Sequence, residues 1–261
     1  MSKFRCPLKN KVVIVTGGGT GIGAACAKQL ARHNAKVIVN FNSSRTRAQT
    51  IAEECIKLGG DAIAVEGNVS NDDQCRAIAE AAMTRWGRID GLINNAGITK
   101  FAPAHDLEAL DAKDFLDIYQ TNVVGAYQMI RACEKALRLV DGSVVNISSI
   151  AGVKAIGSST AYIASKAALN AMTVSLARAL SPEIRVNAVC PGLVDTEWHS
   201  NRYSESDYKA FIDKYEASVP LKAAASADDI AETTLWLLSS GRLITGETIL
   251  VDGGLHLGKP M

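Results

Sequence analysis

Short apolar, β-branched runs alternate along this chain with longer stretches in which apolar residues recur every three or four positions. Val12-Val13-Ile14-Val15 is apolar without interruption, as in a strand covered on both faces. Runs of this type predict strands over 12–16, 36–41, 61–66, 89–94, 143–148, 185–190 and 248–251. Helical spacing between them predicts helices over 21–33, 46–58, 72–86, 114–138, 159–180 and 227–239. Strands alternating with helices build parallel β-α-β units. The expected fold is α/β: a doubly wound parallel sheet of about seven strands with helices on both faces. No linker interrupts the series, and 1–261 reads as one domain. The irregular part is about 193–215, where Trp198, His199, Tyr203, Tyr208, Phe211 and Tyr215 stand among polar residues just after Pro191-Gly192. Such a segment reads as a lid over a pocket, or as a surface hairpin with its own small apolar cluster.

Composition removes several classes of function. The 261 residues are 48% hydrophobic, enough for a large core, and the net charge of +1 offers no stripe for nucleic acid or membrane. No run approaches eighteen apolar residues, and Met1 to Lys9 lacks the apolar stretch of a signal peptide. Cys6, Cys26, Cys55, Cys75, Cys133 and Cys190 are scattered without a Cys-x-x-Cys pair, so buried free thiols in a reducing cytoplasm are expected. The four histidines lack metal-ligand spacing, and there is no Gly-x-Ser-x-Gly elbow.

Two motifs carry chemistry. The first is Thr16-Gly17-Gly18-Gly19-Thr20-Gly21-Ile22-Gly23, between the first strand and the first helix. Glycines there let the backbone approach a pyrophosphate, and the helix N-terminus offers free N–H groups and positive dipole. This makes the sheet Rossmann-type and the chain a dinucleotide-binding candidate, with Gly17, Gly19, Thr20, Gly21, Ile22 and Gly23 at the cofactor. The second strand ends Asn40-Phe41-Asn42-Ser43-Ser44-Arg45, with no carboxylate to repel a 2′-phosphate. Ser43, Ser44 and Arg45 can donate to such a phosphate, with Asn42 beside them at the cofactor, so NADP(H) is favoured and NAD(H) is possible. The alternative for Arg45 is a solvated residue flanking a helix.

The second motif is Tyr162-x-x-x-Lys166, which puts a phenol and an ammonium on one helical face. Ser149 lies thirteen residues before Tyr162, just past a strand. A phenol poised near neutrality must move by about 3 pKa units, or roughly 4 kcal/mol. A cation about 4 Å away supplies roughly that much at an effective dielectric near 20. Lys166 is therefore expected to supply most of the shift, with burial opposing it.

Taken together, these motifs resemble those of the short-chain dehydrogenase/reductase family, most closely the 3-oxoacyl-carrier-protein reductases and related carbonyl reductases. Asn94-Asn95-Ala96-Gly97, Asn122, Pro191-Gly192-x-x-x-Thr196 and Val251-Asp252-Gly253-Gly254 extend the resemblance over nearly the whole length. The resemblance implies that Ser149 orients a carbonyl oxygen and that Tyr162 moves the proton. It implies that Lys166 tunes the phenol and holds the nicotinamide ribose, and that Asn122 positions a water linking that lysine to solvent. A buried Asn122 satisfied by backbone is the competing reading. Asn68, where the family often has Asp, and Val69 would meet the adenine. Asn95, Ala96 and Gly97 would line the cofactor groove. Pro191, Gly192, Val194 and Thr196 would hold the carboxamide end. The implied activity is hydride transfer between NADP(H) and a small ketone or secondary alcohol. The alternatives are an NAD-dependent alcohol dehydrogenase of the same family or a non-catalytic redox sensor. A homo-tetramer is implied, built on helices near 114–138 and 159–180 and on the C-terminal strand region. Ile150, Val153, Leu193, Trp198 and Tyr203 are candidate pocket walls. Lys100, Arg138 and Arg178 are the candidate basic rim for an acyl carrier, or simply surface charges.

Overall fold

Seven parallel strands form one sheet in the order β3-β2-β1-β4-β5-β6-β7. They are β1 (Val12–Val15), β2 (Lys36–Phe41), β3 (Asp61–Glu66), β4 (Gly91–Asn94), β5 (Ser143–Ile147), β6 (Arg185–Pro191) and β7 (Thr248–Val251). The computed structural model describes residues 8–258. Cys6 and the first residues of the signal-peptide reading lie outside them. The helices are α1 (Gly21–Arg32), α2 (Arg45–Lys57), α3 (Asp72–Trp86), α4 (Ala112–Tyr119), α5 (Gly125–Arg138), α6 (Ala151–Lys154), α7 (Thr160–Leu180), α8 (Glu197–Ser200), α9 (Glu205–Ser218) and α10 (Ala227–Ser239).

Strand period sorts the core into two layers. Val13, Val15, Val37 and Val39 pack with residues of α1, α2 and α10. Val12, Ile14 and Ile38 face the other way, onto α3, α5 and α7. Both faces are covered, which is why β1 shows no polar alternation. The chain winds from β1 outward to β3, then crosses back to β4 on the other side of β1. The ends of β1 and β4 therefore open a crevice at the point where ligands bind in sheets of this kind.

Three departures from the sequence reading bear on the site. The stretch 114–138 is not one helix: α4 and α5 are joined by a π-helical turn, Gln120–Val124, centred on Asn122. Asn at this position weakens regular helix, and the extra residue turns its side chain inward. The short α6 was not foreseen. The segment 193–215 falls largely into α8 and α9. The five cysteines among the described residues are free and buried.

Candidate active site

The glycine turn is shaped by neighbours on three strands. Asn40 donates its side-chain amide to the Gly67 carbonyl at 2.9 Å, and its backbone carbonyl accepts from Gly18 N–H at 2.8 Å. Asn95 donates to the carbonyls of Thr16 and Gly17, both at 3.0 Å. Thr16 Oγ1 accepts from the N–H groups of Asn95 and Ala96. Gly17 is at φ +61°, where a side chain would be strained. A methyl on Gly23 would lie 2.4 Å from the Gly17 carbonyl oxygen. Gly23 thus lets α1 seat against the turn and stands a layer below the cavity, rather than lining it as expected.

The turn opens onto a cavity of about 1080 Å³, which fits a dinucleotide and a small substrate together. Thr20 caps no N–H with its side chain, and the first turn of α1 carries no acid. The positive end of a twelve-residue helix therefore faces the cavity with donors to spare, as a pyrophosphate requires. Gly17, Gly19, Thr20, Gly21 and Ile22 line this part. Asn42, Ser43, Asn68 and Val69 line one end; Asn95, Ala96 and Gly97 line the floor; Pro191, Gly192, Val194 and Thr196 close the far side. A methyl on Gly192 would meet the Tyr215 hydroxyl at 2.7 Å, so the β6 end can pass only as glycine.

One adenine-end residue differs from expectation. Arg45 does not line the cavity. Its guanidinium is paired with Glu66 and lies 5.5 Å from the Phe41 ring centroid. Glu66 sits opposite Phe41 in the β2–β3 register, so a carboxylate stands near the strand end after all, supplied by the adjacent strand. Asn68 Oδ1 already accepts from Ser70 N–H at 2.9 Å, which holds the turn after β3.

At the other end of the cavity, Ser159 caps α7 by accepting from Tyr162 N–H at 3.3 Å. The cap starts the helix three residues before the phenol, and the i to i+4 spacing puts Lys166 beneath it. Lys166 Nζ lies 5.6 Å from the Tyr162 ring centroid. The Ser149 hydroxyl is near enough to the phenol to hold its pKa down slightly. Its oxygen also accepts from Ala151 N–H at 3.1 Å. Asn122 is buried and outside the cavity. It accepts from Ile98 N–H at 2.8 Å and donates to Ile98 O and Ser165 Oγ, both at 3.0 Å. Gly97 lies between: a Cβ there would be 3.2 Å from Asn122 Oδ1 and 3.7 Å from Lys166 Nζ.

The expected electrostatics of the pair are reversed. Burial pushes the Tyr162 phenol up to about 12, with the nearby Ser149 hydroxyl a smaller opposing effect. Burial also brings the Lys166 ammonium down to about 8. Desolvation sets both shifts, and the Lys166 ammonium is turned onto the Ile147 carbonyl at 2.8 Å. Burial also raises the nearby Cys190 thiol, which stays neutral.

The aromatic segment covers this end. Trp198 lies 6.3 Å from Tyr162 between ring centroids, and Tyr203 stacks on Phe211 at 5.3 Å. Ile150, Leu193, Trp198 and Tyr203 line the cavity as expected. Val153 does not: Gly152 seats α6 against the Lys166 backbone, and Val153 is turned to solvent. Phe211 lines it from the expected lid segment; Phe101 and Arg202 also line it, together with Asn40 at the glycine end, and none of these three was read from the sequence as a site residue. Asn40 left a signal, a lone amide in the run Val37-Ile38-Val39-Asn40-Phe41; Phe101 and Arg202 left none.

Comparison with known proteins agrees with this geometry. The family described as Enoyl-(Acyl carrier protein) reductase matches residues 17–256. An uncharacterized oxidoreductase of Methylorubrum extorquens is 39% identical over 252 residues, covering 95% of this chain and 99% of the relative. A 3-oxoacyl-acyl-carrier-protein reductase of Staphylococcus epidermidis is 34% identical, covering 95% of this chain and 100% of the relative. A crystal structure from Burkholderia xenovorans, described as a short-chain dehydrogenase/reductase, matches with a TM-score of 0.89 at 37% identity, over 95% of this chain and 99% of that one. The likeness runs from the glycine turn to the last strand without a break, and on that ground the chain belongs to the short-chain dehydrogenase/reductase family of oxidoreductases.

Proposed function

We propose that this enzyme is an NADP(H)-dependent reductase of small ketones, of the carbonyl or 3-oxoacyl type. The observation that carries the reading is a buried phenol beside Ser149, with Lys166 one helical turn on, in a cavity that begins at a glycine turn. When bound, the reduced nicotinamide supplies a hydride to the carbonyl carbon. Ser149 orients the carbonyl oxygen, and its hydroxyl stabilises charge developing there. Tyr162 gives its proton to that oxygen, since a phenol near pKa 12 is fully protonated at neutral pH. Lys166 would hold the nicotinamide ribose, and its ammonium keeps a positive charge near the phenol as it ionises. Asn122 fixes Ile98 and, through it, the loop beside Lys166.

Several features support the finer points. Among the described residues the one carboxylate lining the cavity is Glu197, and it is paired with Arg47. Ser43 and Ser44 at the adenine end are free to donate to a 2′-phosphate. The closeness of Trp198 to Tyr162 supports 193–215 as a lid. Exposed Phe115, Leu116, Tyr119, Tyr127 and Val174 on α4, α5 and α7 support a homo-tetramer on those helices. No helix among the described residues is long and apolar enough to cross a membrane. Lys100 and Arg138 are neutralised by Asp114, and by Glu134 and Glu183, which weakens them as a rim for an acyl carrier.

The test is Tyr162→Phe with a ketone panel followed by nicotinamide absorbance. Turnover should fall about 10³-fold while the dinucleotide dissociation constant stays within about twofold. Turnover near wild type would remove Tyr162 from the chemistry. NAD(H) use is the second reading, favoured by the Glu66 carboxylate that holds Arg45. Glu66→Gln frees Arg45 and should raise the preference for NADPH over NADH; an unchanged preference would leave the 2′-phosphate to the serines.

A further inference from the structure

The walls around Tyr162 are mostly apolar and aromatic: Phe101, Ile150, Trp198, Tyr203 and Phe211. Charge is scarce there. Among the described residues the Lys, Arg, Asp and Glu side chains lining the cavity are three, Lys166, Glu197 and Arg202. Lys166 is committed beneath the phenol, with its ammonium on the Ile147 carbonyl. Glu197 is neutralised by Arg47. Arg202 has no carboxylate partner among the described residues. His199, which shares this wall, is held toward its neutral form by burial and by Arg202 itself. The substrate end therefore has an uncompensated positive charge.

Arg202 is also held in position. Its guanidinium carbon sits 3.5 Å above the centroid of the Phe101 ring and 5.6 Å from that of Tyr203. A planar cation held over aromatic rings keeps its in-plane N–H donors available at its edge. That edge matches two oxygens of a carboxylate or phosphate in a bidentate pair. Phe101 comes from the loop after β4, and Arg202 from the turn between α8 and α9. The cation thus joins two loops on the cavity wall, four residues after Trp198, which packs near Tyr162.

We propose that Arg202 selects ketones carrying an anionic group, a carboxylate or a phosphate a few bonds from the reacting carbonyl. The carbonyl oxygen lies at Ser149 and Tyr162, the carbon chain crosses the aromatic walls, and the anion pairs with the edge of Arg202. This deepens the reductase reading and rests on it. A merely structural Arg202, clamping the lid to Phe101, would be indifferent to substrate charge.

The experiment compares a straight-chain oxo-carboxylic acid with its methyl ester, and a ketone phosphate with the parent hydroxyketone. Each pair is assayed for kcat/KM in wild type, Arg202→Leu and Arg202→Lys. A second measurement, calorimetric binding of acid and ester, needs no turnover. Wild type should prefer each anion over its neutral match by about tenfold or more, the scale of one charge-assisted pair. In Arg202→Leu that ratio should fall toward one whatever happens to absolute rates. Arg202→Lys should retain part of it for the phosphate and less for the carboxylate, because a point charge loses the fork. The acid pair against the phosphate pair tells which anion the site takes. Equal binding of acid and ester by wild type, or a preference that survives in Arg202→Leu, would overturn the proposal. Turnover of esters without anion preference sinks the role of Arg202 alone; failure to reduce any ketone with either cofactor sinks the reductase reading, while calorimetry still decides Arg202.

Discussion

Replacing Lys166 by methionine should make the protein more stable while stopping its chemistry. Lys166 is 4% exposed, and burial takes its ammonium from 10.5 down to about 8. At about 1.4 kcal/mol per unit, a fall of that size means the charged lysine costs the folded state about 3 kcal/mol at pH 7. Methionine keeps the length and the packing of the stem but removes the charge. The loss on the other side is the 2.8 Å bond to the Ile147 carbonyl, worth about 1–2 kcal/mol when its acceptor is left unpaired. The net gain is about 1–2 kcal/mol, or a rise of roughly 2–6 °C in melting temperature for a chain of this size. The sign of the pH dependence is fixed. A folded-state pKa below the unfolded one means that the cost is full below about pH 8 and fades as pH rises toward 10.5. Tyr162 and Cys190, the titratable groups beside it, are present in both proteins and largely cancel in the difference. Thermal denaturation of both proteins at one concentration, from pH 7 to pH 10, is the assay. The lead of Lys166→Met should shrink steadily above pH 8. A gap that stays constant with pH, or a variant less stable than wild type at pH 7, would refute the reasoning.

Three other outcomes follow from the same geometry. Gly23→Ala drives a methyl to 2.4 Å from the Gly17 carbonyl, so dinucleotide affinity in a fluorescence titration should drop at least about tenfold and stability by about 1–3 kcal/mol. Arg185→Met removes a part-buried guanidinium that ties the end of α10 through the Leu237, Leu238 and Gly241 carbonyls at 2.7–2.9 Å; urea midpoints should report a loss of about 2–4 kcal/mol. The rate of ketone reduction should fall with rising pH in a step centred near 8, as Lys166 loses its charge, with no matching step from Tyr162 in the neutral range.

The sheet was legible because its strands are buried on both faces, and a run such as Val12-Val13-Ile14-Val15 has few other places to go. The glycine turn and the Tyr162–Lys166 face were legible because their chemistry is local, set by spacing along one element. What could not be read was supplied across elements. Glu66 reaches Arg45 through the β2–β3 register, and sequence windows around Arg45 contain no trace of it. Phe101 and Arg202 meet only after the β4 loop and the α8–α9 turn close on the same cavity. The break at Asn122 lies between these cases. A low-propensity residue signalled trouble in the helix, but the choice of a π turn depends on Ile98, which presents both backbone groups to the amide.

The reversed pair of pKa shifts bears on the direction of reaction. Two groups buried together in one dry site both resist charging, so the chain by itself stabilises a neutral phenol above an ammonium that is mostly charged at pH 7. That state is a proton donor backed by a cation. It is ready for ketone reduction, in which the phenol must lose its proton while the positive charge beneath it offsets the phenolate formed. Alcohol oxidation needs the opposite starting state, a phenolate, which at a pKa near 12 is about 10⁻⁵ of the population at pH 7. Unless another positive charge enters the site, the resting state of Tyr162 at neutral pH is that of a proton donor. Oxidation should gain on reduction as the solution is made alkaline. The pH profile of kcat for each direction alone, measured from pH 6 to pH 10 with one ketone and its alcohol, tests this: oxidation should climb with pH while reduction does not, and parallel profiles would remove the argument.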